Sequence, residues 1–185
     1  NQIITHYLSL SKIASTESTA IDVGDVIADF VAEWQDRAQE RGIQLRVRPD
    51  EGTHPVLGDP NQIRRVLVNL VENAFDAIGD GRPGSRRAGT VTLMLRRMRR
   101  SVKLTVKDNG PGIPPELRER VFEPFFTSKS GGSGLGLYLV REIVLASGGT
   151  MSLSSSDGRG TSVSVRWPLA EPEETQAGRK KKGAA

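Results

Sequence analysis

Apolar residues recur at helical spacing in some stretches of the chain and alternate with polar ones in others. Val23, Val26, Ile27, Phe30, Val31 and Trp34 fall on one face of a helix that Asp22 can cap. It runs to about Arg41, with Gly42 suited to its end. IQLRVRP alternates and reads as a strand. In GDPNQIRRVLVNLVENAFDAIGDG, Asp59 is a cap and Pro60 takes the first helical position. Ile63, Val66, Leu67, Leu70, Val71, Ala74 and Ile78 then line one face until Gly79 and Gly81. TVTLMLRRM and SVKLTVKD alternate on either side of a short basic turn, which predicts a hairpin. TMSLSSS and TSVSVRW repeat that arrangement across DGRG. Between the hairpins, PELRERVF starts a short helix and a longer one spans 134 to 147, ended by Gly148 and Gly149. RPGSRRAG and NGPGIPP read as loops.

This order of elements predicts an α+β fold: a two-layer sandwich of a mixed, mainly antiparallel sheet with helices on one face. The opening NQIITHYLSLSKIA has Ile3, Ile4, Tyr7, Leu8 and Leu10 near helical spacing, reads as the tail of a longer helix and stands outside this plan, as a linker or dimerising element. STESTA breaks it. From Ala170 the sequence AEPEETQAGRKKKGAA lacks apolar content and is expected to be disordered. The expected organisation is 1–20 helix end and linker, 21–169 folded domain, 170–185 tail.

Composition narrows the picture. The chain has no cysteine, which excludes disulfides and thiolate metal sites and fits a reducing compartment. No apolar run reaches membrane-spanning length and no signal peptide opens the chain. It begins at Asn1 rather than Met, so it reads as a fragment with any membrane segment upstream. The net charge is +4, yet residues 82–107 hold nine basic side chains and no acidic one: Arg82, Arg86, Arg87, Arg96, Arg97, Arg99, Arg100, Lys103 and Lys107. They form either a face for an acidic partner or the solvated outside of a hairpin. No aromatic interleaves them, which disfavours nucleic acid.

Four segments depart from what a packed core needs. Asn69 and Asn73, four apart on the long helix, put two amides on one side of it. An Asn carbonyl oxygen can ligate a hard cation such as Mg²⁺ and its amide can donate to phosphate, although two ordinary polar positions would look alike. In KDNGPGIPP, Asp108 ends an apolar strand while Gly110 and Gly112 free the backbone behind it. A carboxylate there can accept the exocyclic amine of adenine with the base against bare main chain; a plain turn is the alternative. In SKSGGSGLGLYLVREIV, Gly131, Gly132, Gly134 and Gly136 leave N–H groups open at a helix N-terminus, which favours a polyphosphate. No Gly-Lys-Ser/Thr closes the loop, its spacing is not G-x-G-x-x-G, and the Ser/Thr/Tyr-kinase landmarks are missing. A flexible linker is the alternative, but an amphipathic helix follows without a spacer. Last, FEPFFTSK sets Phe122, Phe125 and Phe126 before the glycine loop, as a mobile hinge or as core.

Together and in this order, these segments resemble the catalytic ATP-binding domain of sensor histidine kinases, within the ATPase superfamily that also holds DNA gyrase, a heat-shock chaperone and MutL. NLVENAFDAI resembles the N box, DNGPGIP the first glycine box, FEPFF the F box and GGSGLGL the second glycine box. GRGTSVSVRWP resembles the closing strand, and the match covers about residues 22 to 169. The resemblance implies a histidine-kinase-type fold that binds ATP with Mg²⁺. Asn73 would hold the Mg²⁺ and Asn69 would assist at the phosphates. Asp108 would receive the adenine amino group, with Thr161 supporting it through water or hydroxyl contact. Gly110 and Gly112 would shape the base pocket, and Gly132, Gly134 and Gly136 would wrap the triphosphate; Ile113, Phe122, Ser133, Leu135 and Leu137 would also belong to the nucleotide site. Lys129, in a very short lid between Phe126 and Gly132, would reach the γ-phosphate. Asp76 belongs to the same site but stands where many members carry a base, which shifts phosphate contact towards Lys129.

In hydrolytic relatives the position four before the metal-binding Asn is a Glu that activates water. Here it is Asn69, which cannot act as a general base. Glu72 lies about 100° around the helix from Asn73 and about 60° from Asn69. The resemblance therefore implies transfer of the γ-phosphoryl group to a histidine, for relay to a response-regulator receiver domain. The alternatives are an ATP-hydrolysing clamp of the gyrase or MutL type, or a non-enzymatic nucleotide- or nucleic-acid-binding module. His6 is followed by Tyr7, and His54 lies in GTHPV, so neither matches the family's histidine box. The phosphoacceptor is expected on a missing segment, in a hairpin of the same or a partner chain. A homodimer of the full-length protein and a cytoplasmic location complete the expectation.

Overall fold

The computed structural model describes residues 19–79, 88–129 and 132–170. The helix expected at 1–14, Gly81, the basic residues Arg82, Arg86 and Arg87, Gly131 and the tail beyond Ala170 lie outside them. Strands β2 (Ile43–Arg48), β4 (Gly89–Arg97), β5 (Ser101–Asp108), β6 (Thr150–Ser156) and β7 (Gly160–Pro168) form one sheet in the order β2-β4-β5-β7-β6. β2 runs parallel to β4 and every other pairing in this sheet is antiparallel. Helices α1 (Val23–Glu40), α2 (Pro60–Gly79) and α3 (Gly136–Ala146) pack on it, which is the expected sandwich.

Period-2 alternation explains the sheet's inner face. Val91, Leu93 and Leu95 of β4, Val102, Leu104 and Val106 of β5, and Val163, Val165 and Trp167 of β7 are all buried. Apart from Met94, the intervening residues are basic or hydroxylated and turn away from the helices. α1 buries Val23, Ile27, Phe30, Trp34 and Ala38, and its first turn is closed by the Gly24 N–H donating to Asp22 Oδ1 at 2.7 Å. α2 buries Ile63, Val66, Leu67, Leu70, Val71, Ala74 and Phe75. Phe75 was not on the expected stripe, because it faces the Trp34 ring of α1 at 6.1 Å rather than the sheet.

The structure corrects several boundaries. STESTA reads as a break and GTHPV as a loop, yet β1 (Thr19–Asp22) and β3 (Pro55–Gly58) form a two-stranded antiparallel ladder. PELRERVF makes two 3₁₀ turns, Pro115–Leu117 and Arg120–Phe122, closed by bonds such as Leu117 N–H to the Pro114 carbonyl at 3.0 Å. α3 starts at Gly136 rather than 134 because Gly134 holds φ +66°, which no right-handed helix accepts. Ala170, expected to open the tail, is buried and its N–H donates to the Pro55 carbonyl at 2.8 Å. His54 is also buried, between Asp22 and Asp50 with carboxylate oxygens 3.8 and 3.9 Å from its ring nitrogens, out of reach of a phosphoryl donor.

Candidate functional site

A cleft of about 560 Å³ opens between α2, the connection from Asp108 to Lys129 and the start of α3. That volume lies within the range of small-molecule sites. Of the residues singled out in the sequence, Asn69, Asn73, Asp76, Asp108, Gly112, Ile113, Lys129, Gly132, Ser133, Gly134, Gly136, Leu137 and Thr161 line it. Gly110, Phe122 and Leu135 do not.

At one end, β5 terminates in Asp108, which is 6% exposed. Its Oδ1 accepts the N–H of Gly110 at 2.8 Å and the N–H of Thr161 at 3.1 Å. Among the described residues, Oδ2 takes no hydrogen bond and is left for a donor from the cleft. Burial pushes the carboxyl above the usual aspartate range, against the two N–H groups that favour the anion. Thr161 was expected to support Asp108 through water or hydroxyl contact. The direct contact is made by its main-chain N–H, while the hydroxyl lies 3.0 Å from Ser155 Oγ, because the register of β6 with β7 places Thr161 opposite Ser155. Gly110 sits behind the carboxylate, where a Cβ would lie 3.0 Å from Asp108 Oδ1 and 3.2 Å from the Ala77 carbonyl oxygen. Gly112 has φ +85° and no room for a side chain, since a Cβ would meet the Ser156 carbonyl oxygen at 2.2 Å.

Ser155 organises this end and was missed in the sequence. Buried in the inward phase of β6, it accepts the Ile113 N–H at 2.7 Å and donates to the Gly160 carbonyl at 3.1 Å. One hydroxyl thus ties the glycine turn to the hairpin that presents Thr161. The signal was there: a serine continues the inward run Met151, Leu153. Val106, Leu153 and Val163 supply apolar wall against which a base can lie.

At the other end, the Asn69 amide donates to the Arg65 carbonyl at 2.8 Å, which fixes its oxygen towards α3. A Cβ on Gly136 would lie 3.1 Å from Asn69 Oδ1 and 3.4 Å from Asn73 Nδ2, so the bare glycine lets the start of α3 close on both amides. α3 has no side-chain cap, which leaves its first N–H groups directed at the cleft. Asn73 Oδ1 accepts from Lys129 Nζ at 3.4 Å, and the same ammonium is 3.1 Å from Asp76 Oδ2. Asp76 Oδ1 in turn takes Arg41 Nη1 at 3.1 Å. Arg41, 35 positions away in sequence, was not foreseen. Glu72 reaches the cleft rim, where its carboxylate is 3.9 Å from Arg37 of α1.

The three phenylalanines have separate fates. Phe126 lines the cleft with the Arg120 guanidinium 4.5 Å from its ring centroid. Phe125 is 60% exposed with φ +65°, and its main chain presses on Gly134, where a Cβ would lie 2.4 Å from its carbonyl carbon. Phe122 ends the second 3₁₀ turn outside the cleft wall, because the turn directs Val121 inward instead. Leu135 is buried at the N-terminus of α3 and packs as core.

The donor groups of the cleft fall into three chemical kinds. A desolvated carboxylate with one free oxygen suits an exocyclic amine, open N–H groups suit phosphates, and an amide oxygen already turned to an ammonium suits a hard cation.

Known proteins are similar to this chain in sequence and in fold. The family described as histidine kinase-, DNA gyrase B- and HSP90-like ATPase matches residues 58–171. Sensor histidine kinase ZraS of Salmonella typhi is 34% identical over 170 residues, which is 91% of this chain and 35% of that protein. The chain therefore spans about a third of the length of that curated relative. The catalytic domain of histidine kinase ThkA superposes with a TM-score of 0.73 at 29% identity, covering 83% of this chain and 97% of that one. ThkA in complex with the response regulator TrrA superposes with a TM-score of 0.69 at 28% identity, covering 91% of this chain and 50% of that one. The chain belongs to the histidine kinase-, DNA gyrase B- and HSP90-like ATPases, as an ATP-binding catalytic domain of the sensor histidine kinase type.

Proposed function

We propose that this domain binds ATP with Mg²⁺ and directs the γ-phosphoryl group to a histidine on a helical hairpin of its own or a partner chain, for relay to a response regulator. Asp108 Oδ2 accepts the adenine amine, and Gly112 and Ile113 form the edge of the base site. Asn73 would hold the Mg²⁺, which would supply charge neutralisation for phosphoryl transfer. Asn69, the N–H groups at Gly134, Gly136 and Leu137, and Lys129 hold and orient the phosphates. This chain's contribution is positioning and electrostatics rather than covalent chemistry.

The observation that carries transfer over hydrolysis is the state of the carboxylates on the helix wall of the cleft. Asn69 takes the place of a general base. Asp76 is held by Arg41 and Lys129, and Glu72 sits at the rim, turned towards Arg37 of α1. The complex of ThkA with TrrA supports the relay partner. A dimeric parent and a cytoplasmic site follow from that role. Among the described residues, no helix is long and apolar enough to cross a membrane.

The test supplies γ-labelled ATP and a dimerisation hairpin bearing a histidine box. Acid-labile label on the hairpin supports the proposal. Steady release of inorganic phosphate with an unlabelled hairpin would support the hydrolysing clamp instead.

A further inference from the structure

Asp76 is an anion on the wall of a cleft built for a polyphosphate. Left alone it would repel that ligand. It is not alone: one carboxylate oxygen meets Arg41 and the other meets Lys129, each at 3.1 Å. The Lys129 ammonium also lies 3.4 Å from Asn73 Oδ1. One cation therefore sits between an amide oxygen and a carboxylate oxygen that α2 presents three positions apart, on neighbouring sites of one helix face.

We propose that Asn73 and Asp76 together form a cation site for which the Lys129 ammonium and the nucleotide's Mg²⁺ compete. This rests on the ATP-binding reading above and adds a residue to it: Asp76 faces the metal, directly or through one of the waters that Mg²⁺ retains. Lys129 is the resting counter-ion. Arg41 neutralises the outer oxygen of Asp76 in both states, so the inner oxygen is the one exchanged between cations. Leaving that oxygen without a cation beside bound phosphates would place like charges in contact, which couples departure of the lysine to arrival of the metal. The predicted consequence is a steep metal requirement for nucleotide binding, set by residues 76 and 129 as a pair.

The experiment measures binding of ADP by titration calorimetry across a Mg²⁺ series and in EDTA. It compares the chain with Asp76→Asn and Lys129→Ala, each checked by circular dichroism for an unchanged fold. Lys129→Ala should lower the Mg²⁺ concentration needed for half-maximal binding several-fold, because the competitor is gone. Asp76→Asn should raise it several-fold while leaving binding in EDTA equal or tighter, because a repulsive charge is gone. If ADP binds with a metal requirement that neither substitution moves, or moves in the opposite sense, the inference is overturned while the nucleotide reading stands. If the unaltered chain binds no ADP under any metal condition, both fall. Should Asp76→Asn fail to fold, the Lys129→Ala result alone decides.

Discussion

The two ends of the cleft are built differently. Around Asp108, each polar contact runs to main chain or to a buried hydroxyl: Gly110 N–H, Thr161 N–H, and Ser155 bridging Ile113 and Gly160. Around Asn73, the contacts run between long side chains from three separate segments, with Lys129 and Asp76 side chains 30% and 41% exposed. Rigid strands and a glycine turn suit recognition of a flat base that never changes. Exchangeable ion pairs suit a group whose charge and position change during transfer. On the proposed reading, the fold itself would fix which base is bound, and loosely held charges on its rim would handle the phosphates.

Asp108→Asn tests the base end most severely. It turns a charge-assisted acceptor into an amide, and such bonds contribute roughly 1.5–3 kcal/mol, so ATP affinity should fall about 10- to 100-fold with little change for free pyrophosphate. Competition binding of the two ligands distinguishes a local loss from a collapsed cleft.

The same carboxyl sets a pH dependence. Its folded pKa is raised by burial, so the folded state holds the proton more readily than the unfolded chain does. Its stabilising effect is therefore present below the unfolded value of 3.8 and is lost as pH rises through the raised folded value. Denaturant titrations of the chain and Asp108→Asn should diverge across that window, the variant gaining relative stability at neutral pH. ATP affinity should move oppositely and weaken as pH drops through the same window, whereas that of the variant stays flat.

Ser155→Ala should act on stability and on base binding together. It strands the Ile113 N–H and the Gly160 carbonyl, which costs about 1–3 kcal/mol, measured as a lowered denaturation midpoint. Equal effects on ADP and pyrophosphate binding would contradict its assignment to the base end. The smallest effect belongs to Glu72→Gln. It breaks a half-exposed pair with Arg37, worth about 0–1 kcal/mol, and should leave phosphoryl transfer unchanged. A large loss of phosphate release in this variant would make Glu72 a general base.

These contrasts also explain what could be read from the sequence. Periodicity exposed α1, the α2 stripe and the five-stranded sheet, because each buries one face over many residues. The box order placed most cleft residues, since glycine and asparagine mark the backbone they need. The β1–β3 ladder stayed hidden because four residues of Thr19–Asp22 and four of Pro55–Gly58 are too short to show alternation. Phe75 escaped because α2 buries a second face against α1. The main-chain contact of Thr161 with Asp108 was not foreseen, because strand register, not residue type, decides which of its groups meets that carboxylate directly. The Arg41–Asp76–Lys129 chain joins three segments far apart in sequence, and only the packing of α1 on α2 brings them together.

The most direct test of one shared nucleotide site is a binding titration with a fluorescent ATP analogue, with Mg²⁺ or EDTA, competed by ATP and by GTP. The chain should bind it saturably with Mg²⁺, release it to ATP far more readily than to GTP, and lose the Mg²⁺-dependent part in Asn73→Ala while keeping the preference for adenine. Binding that ignores Mg²⁺, or that ATP and GTP displace equally, would contradict the account.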